Sequence, residues 1–270
     1  MPALIFIVNL VQKCRMDFTL DRGAELTYRV LLAFFPFVIF LMAAVGFFEL
    51  DEAAFMQHVP NIFPEDVADL IQSFVADLGV SQSRGLLSTG LFFAVYNTTN
   101  GFRAVIRCVN RAYGVIDPRN FAYRVLLSFV LMLMFTFSLL FMVGVLVFGA
   151  EIWHFFFPEA PMMLFNLVRI IGGLAVLTFV TTLIYRLSIA QKMRLREILP
   201  GAALTVTAWV VASTIFGFVI IRFTQYPAIY GSIAGVFILV LWLNLICIIL
   251  LIGNEFNAGL KMVADGRKIR

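Results

Sequence analysis

Charge is scarce in this chain of 270 residues: Asp, Glu, Lys and Arg make up 13% of it, about half the share of a soluble domain. Histidine occurs twice and cysteine three times. Cys14, Cys108 and Cys247 form no CxxC pair, and their spacing suits neither a zinc site nor a disulfide framework; they read as small apolar residues. His58 and His154 stand alone. There is no HExxH, Walker loop, G-x-S-x-G or paired metal-binding cluster. A soluble-type metallonuclease or ATPase is not expected, nor is a catalytic set, metal or cofactor. Met1-Pro2-Ala3 lacks a basic n-region, and no small-residue cleavage site follows, so a cleavable signal peptide is not expected. Hydrophobic residues, in contrast, reach 62%, with 30 Phe and a mean hydropathy of +0.98. A soluble fold could not hide that much apolar surface. The composition predicts a single all-α, polytopic membrane domain over residues 1–270.

A spanning helix needs about 20 apolar residues. Segments 26–48, 123–150, 162–187, 199–221 and 230–256 qualify. Segment 85–109 is ambiguous, because twelve apolar-leaning residues run into Asn97-Thr98-Thr99-Asn100-Gly101. Charge decides it. With six spans, all of the 20 basic residues except Arg84, Arg169 and Arg222 fall on one side. Glu49, Asp51, Glu52, Glu65, Asp66, Asp69, Asp77, Glu151 and Glu159 fall on the other. The basic side is cytoplasmic by the positive-inside bias, and it holds both termini. The net charge of +4 is thus read as topology rather than as nucleic-acid binding. Residues 1–22 read as a cytoplasmic amphipathic arm, with a helical stretch over 4–18. Residues 261–270 read as a cytoplasmic tail. The 49–84 segment lies on the outer side, where Val67, Leu70, Ile71, Phe74, Val75 and Leu78 recur at helical spacing. Pro64 suits its first position and Gly79 its end.

Candidate site residues concentrate in the second span. Asn97, Asn100, Arg103, Arg107, Asn110, Arg111 and Gly114 recur three or four residues apart, which predicts a polar face along one helix. Phe102, Val105, Ile106, Val109 and Tyr113 lie opposite. Polar groups at this depth mark either a cavity or helix-helix contacts. The functional expectation is a cytoplasm-facing polar cavity whose arginines attract anionic solutes or lipid head groups; the structural one is snorkelling arginines and cross-linking asparagines. In the last span Asn244 reads chiefly as a helix cross-link. Glu255 reads as the partner of a second-span arginine, with a proton-coupled role as a longer shot. Gly231 and Gly235 form a GxxxG. Pro36 predicts a fixed bend, and Arg169 and Arg222 are expected to pair with outer acids.

Three stretches carry a resemblance: Ala24-Glu25-Leu26-Thr27-Tyr28-Arg29 running to Pro36; Asn100-Gly101-Phe102-Arg103 running to Arg107, with Asn110-Arg111-Ala112-Tyr113; and Tyr230-Gly231-Ser232 running to Gly253-Asn254-Glu255-Phe256-Asn257. The chain resembles the YihY/virulence factor BrkB family over about residues 18–260. The resemblance implies a bacterial inner-membrane protein of about six spans. Members have carried a ribonuclease label, and others are linked to serum resistance and envelope lipid export. No agreed catalytic residues carry over. Asn97, Asn100, Arg103, Arg107, Asn110, Arg111, Tyr113, Asn244 and Glu255 stand as candidates for a cavity or substrate site.

Together these readings predict a transporter or exporter of an anionic or amphiphilic envelope solute, lipid included. The alternative is a non-transporting envelope scaffold, and a membrane ribonuclease comes third. The expected partners are the bilayer and its anionic head groups, with self-association left open.

Overall fold

A computed structural model describes residues 2–47, 56, 59–61, 65–80, 84–157, 161–222 and 233–266. Helix α1 is Pro2–Met16 and α2 is Thr19–Phe47. A 3-10 turn, Val59–Asn61, precedes α3, Glu65–Val80. Then come α4 (Arg84–Ala112), α5 (Phe121–Phe156), α6 (Met162–Ser188), α7 (Leu195–Arg222) and α8 (Ile233–Ala264). No strand occurs among the described residues. Gly231, His58, Pro64, Glu49, Asp51, Glu52, Glu159 and the last four residues lie outside the described set.

Among the described residues, five helices hold stretches long and apolar enough to cross a membrane: Thr19–Met42, Phe121–Val145, Met163–Ser188, Leu195–Val219 and Gly235–Ala264. The chain is a polytopic helical membrane protein. The ambiguous 85–109 segment is one helix, α4, unbroken through the polar knot at 97–101. Its 29 residues give a length of about 43 Å, ample for a crossing, although its arginines and asparagines keep it off the apolar list. The helices outrun the expected spans, because backbone hydrogen bonding continues into polar turns that hydropathy does not register. Helix α8 runs to Ala264, into the 261–270 segment.

The six long helices close a ring: α2 packs on α4, α4 on α5, α5 on α6, α6 on α7, α7 on α8, and α8 back on α2. Helix α4 also touches α6 and α8, so the least apolar of the long helices packs on four others. That follows from the solvent, since lipid offers no partner for Asn or Thr. Thr98 and Thr99 accordingly turn inward and are buried. Phe141, Ile170, Ile171, Val211 and Phe237 face outward, where hydrocarbon accepts them without cost.

One buried cluster, with Leu26, Val109, Leu131, Tyr185, Ile198 and Leu251, fills the end where α4, α6 and α8 finish and α2, α5 and α7 begin. That end also carries Arg111, Arg119, Arg194 and Lys261 and is here termed the basic end. A second cluster includes Phe34, Val38, Leu140, Leu239 and Leu243 together with Val67, Ala68 and Ile71 of α3. Helix α3 therefore lays its apolar face on the bundle, beside α8, as its periodicity predicts.

Helix α1 packs on α8 and α2. The reversal between α1 and α2 turns on Phe18, a non-glycine residue at φ 51°, whose N–H donates to the Arg15 carbonyl at 3.1 Å. Helix α4 ends on Gly114 at φ 64°, the left-handed stop that favours glycine.

Candidate functional site

Helix α8 brings three buried polar side chains, Asn254, Glu255 and Asn257, into the basic end within Gly253-Asn254-Glu255-Phe256-Asn257. Successive residues of a helix point about 100° apart, so this stretch reaches a different neighbour at each step. Gly253 meets α7 so closely that an added Cβ would lie 1.8 Å from Thr205 Oγ1 and 2.7 Å from the Gly201 carbonyl oxygen. Asn257 then reaches α7 twice, accepting from the Gly201 N–H at 2.7 Å and donating to the Ile198 carbonyl at 2.8 Å. Asn254 donates to the Val109 carbonyl of α4 at 3.1 Å. Tyr185 of α6, fully buried, lies 2.8 Å from Thr205 Oγ1 and donates to the Leu250 carbonyl at 2.6 Å.

Glu255 is 3% exposed, and here the sequence expectation is corrected. Its partner is Lys13 of α1, with Nζ 2.6 Å from Oε2, and not an arginine of α4. Lys13 is itself 2% exposed and also donates to Asp17 and, at 2.9 Å, to the Ala112 carbonyl. Ala112 is the last residue of α4, where the helix dipole favours a cation. The α4 arginines cannot reach Glu255 because they leave that helix on its outer side. Burial alone would lower the Lys13 pKa; the Glu255 charge and the hydrogen bonds to Asp17 and Glu255 together outweigh burial and hold it above the usual lysine value. One lysine thus fastens α1, α4 and α8.

The structure splits the nine candidate residues. Asn110 faces inward and is consumed: its Nδ2 donates to the Ile106 and Ser188 carbonyls, both at 2.8 Å, and its Oδ1 accepts from the Ala190 N–H at 2.7 Å. It closes the C-terminal end of α6, helped by Arg119, which donates to the Leu187 and Ile189 carbonyls. Asn244 accepts from the Thr27 hydroxyl at 3.3 Å, linking α8 to α2. Tyr113 is half-buried, and its buried hydroxyl has no hydrogen-bond partner among the described residues. Asn97 donates to the Phe93 carbonyl of its own helix.

Asn100, Arg103, Arg107 and Arg111 instead run up the outer side of α4, in line with the exposed Phe92 and Tyr96. Arg103 is half-buried, with its guanidinium over the Phe121 ring at 5.4 Å. Its Nε is shielded and unpartnered among the described residues. Arg107 is exposed and within electrostatic reach of Arg29, Glu25 and Arg103. Arg29 pairs with Glu25 at 3.0 Å. The result is a lateral cationic stripe on the α2–α4 face. None of the nine residues lines the groove of about 420 Å³ found between α6 and α7. Arg169, expected to pair with an acid, lies over the Phe165 ring at 5.6 Å.

Sequence reasoning missed Lys13, Tyr185, Thr205 and Asn257. A lone lysine in an amphipathic arm gives no hint of burial. The others show only as scattered polar residues in apolar helices, and Gly201 opposite Gly253 was the available signal of a close crossing.

Comparison with known proteins fits this architecture. The family described as virulence factor BrkB matches residues 10–269. The chain belongs to the virulence factor BrkB family. It is 30% identical over 258 residues to the ribonuclease-like protein YfkH of Bacillus subtilis (strain 168), covering 94% of each chain. A UPF0761 membrane protein of Alkalilimnicola ehrlichii is 24% identical over 269 residues, 98% of this chain and 60% of that protein. One from Laribacter hongkongensis is 25% identical over 254 residues, 90% of this chain and 58% of that protein. The chain therefore spans nearly all of YfkH but about three-fifths of these UPF0761 relatives. No solved structure matches. BrkB-family membership and the apolar helices together make this a bacterial inner-membrane protein.

Proposed function

We propose that the protein is a carrier for an anionic amphiphile, a lipid by class, which engages the bundle laterally on the α2–α4 face. The carrying observation is the stripe of Arg29, Arg103 and Arg107, opposed by Glu25. Arg103 lies nine residues inside the end of a 29-residue helix, or about 13 Å along its axis. A guanidinium at that depth is costly unless it meets an anion, and Arg is the side chain suited to phosphate. In this reading α4 crosses the membrane as a sixth span and the basic end faces the cytoplasm. The expected vestibule becomes an open lateral surface, because Arg107 points outward and Asn110 is committed to α6.

The reading is non-enzymatic. The ribonuclease-like name belongs to the relative YfkH. A scaffold is the second reading, favoured by the α8 residues 254–257, which tie that helix to α1, α4 and α7.

The test is a liposome assay with purified protein and dye-labelled phosphatidylglycerol, following how fast label leaves the inner leaflet. A several-fold acceleration over empty liposomes, smaller for labelled phosphatidylcholine, is expected. No acceleration for any lipid, under several ion gradients, would favour the scaffold.

A further inference from the structure

The groove between α6 and α7 lies apart from the α2–α4 stripe and is built differently. Leu174, Phe179 and Thr182 of α6 and Leu195, Arg196 and Leu199 of α7 line it. Residues 174–182 extend it about 12 Å along α6. The wall is apolar in effect, because the Thr182 hydroxyl donates to the Thr178 carbonyl of its own helix. The mouth lies at the first turn of α7, where the positive end of the helix dipole emerges. Arg196 lines it, and exposed Arg186, Lys192 and Arg194 lie on the adjoining end of α6 and the α6–α7 connection. The nearby carboxylate is already used: Glu197 accepts from Lys261 at 3.2 Å and from the Arg194 N–H at 2.7 Å. No described carboxylate lies within salt-bridge distance of Arg196.

We propose that this groove holds one anionic phospholipid, its phosphate on Arg196 and an acyl chain along Leu174, Phe179 and Leu199. The charge pattern selects the occupant. A neutral lipid would gain from the apolar wall alone, whereas an anionic head group also meets the basic mouth, as basic pockets between spanning helices do. The groove opens to the side and so can fill from the membrane itself. The site does not depend on the carrier reading and can exist in a protein that transports nothing.

The test uses the full chain in vesicles containing either phosphatidylglycerol or phosphatidylcholine with a photoreactive acyl chain, with labelled peptides mapped by mass spectrometry. Phosphatidylglycerol is expected to label α6–α7 peptides several-fold more than phosphatidylcholine. Arg196→Gln should remove most of that preference, and substitution of Ala175, which also lines the groove, by a bulky indole (Ala175→Trp) should abolish labelling by both lipids. Arg15→Gln, at an exposed position of α1, should leave it unchanged. Equal labelling by the two lipids, insensitivity to Arg196→Gln, or capture of a second copy of the chain at α6–α7 would overturn the proposal.

Discussion

Two polar regions share helix α4 and are built to opposite plans. At the basic end, Asn110, Asn257, Lys13 and Glu255 are matched to carbonyls, N–H groups or one another, and Asn254 is matched through its Nδ2 while its Oδ1 has no partner among the described residues. On the outer side of the same helix, Arg103 and Arg107 stand in a cationic stripe whose acid partner, Glu25, is already paired with Arg29. Residue type alone would place both sets in one functional class. Partner accounting separates them, because a satisfied buried polar group holds structure while an under-neutralised surface group is available to a ligand.

The sharpest way to break the first region is at Gly253. Gly253→Leu drives a side chain into Thr205 and the Gly201 backbone. It should cost more than about 4 kcal/mol, in the range reserved for severe core disruption, and is read as loss of the monodisperse peak in detergent. Next comes Lys13→Met. Removing one partner of a buried pair costs about 3–5 kcal/mol, so its thermal midpoint should fall well below wild type. Lys13→Met with Glu255→Met should recover much of that loss. A double variant no better than the single would show that the pair is not what fastens α1. The same pair predicts a pH dependence. Lys13 has a raised folded pKa, so wherever Glu255 is ionised its contribution is present below the ordinary lysine value of 10.5 and is lost as pH climbs through the higher folded value. Melting curves of wild type and Lys13→Met should converge in strong alkali and stay apart at neutral pH.

Asn110→Ala sits lower in the order. It strands the Ala190 N–H and leaves the Ser188 carbonyl only its longer bond from Arg119, at about 1–3 kcal/mol, and should speed hydrogen exchange at the α6 terminus. The smallest effect on stability belongs to the stripe: Arg107→Gln should change unfolding by no more than about 0.5 kcal/mol. A large loss there would erase the contrast between the regions.

Much of this contrast was hidden in the sequence, for identifiable reasons. The apolar spans were legible because lipid exposure demands long hydrophobic runs. Helix α4 was legible only through charge topology, since a helix shielded by neighbours on several sides can stay polar. The arginine stripe followed from helical spacing. Asn110 falls within the same spacing, yet it lies toward the edge of that face and turns to α6, which only the ring of helices decides. Lys13 was invisible because its burial depends on Phe18 adopting φ 51° and folding α1 back over α8. The Glu255 partnership went to the wrong helix for the same reason.

The most direct measurement is the phosphatidylglycerol transfer rate of Arg103→Gln/Arg107→Gln, normalised to folded protein, beside Asn110→Ala. The account predicts that the arginine variant melts like wild type and transfers several-fold more slowly. Asn110→Ala should melt earlier and transfer normally while folded. An arginine variant that loses stability but keeps the wild-type rate would contradict it.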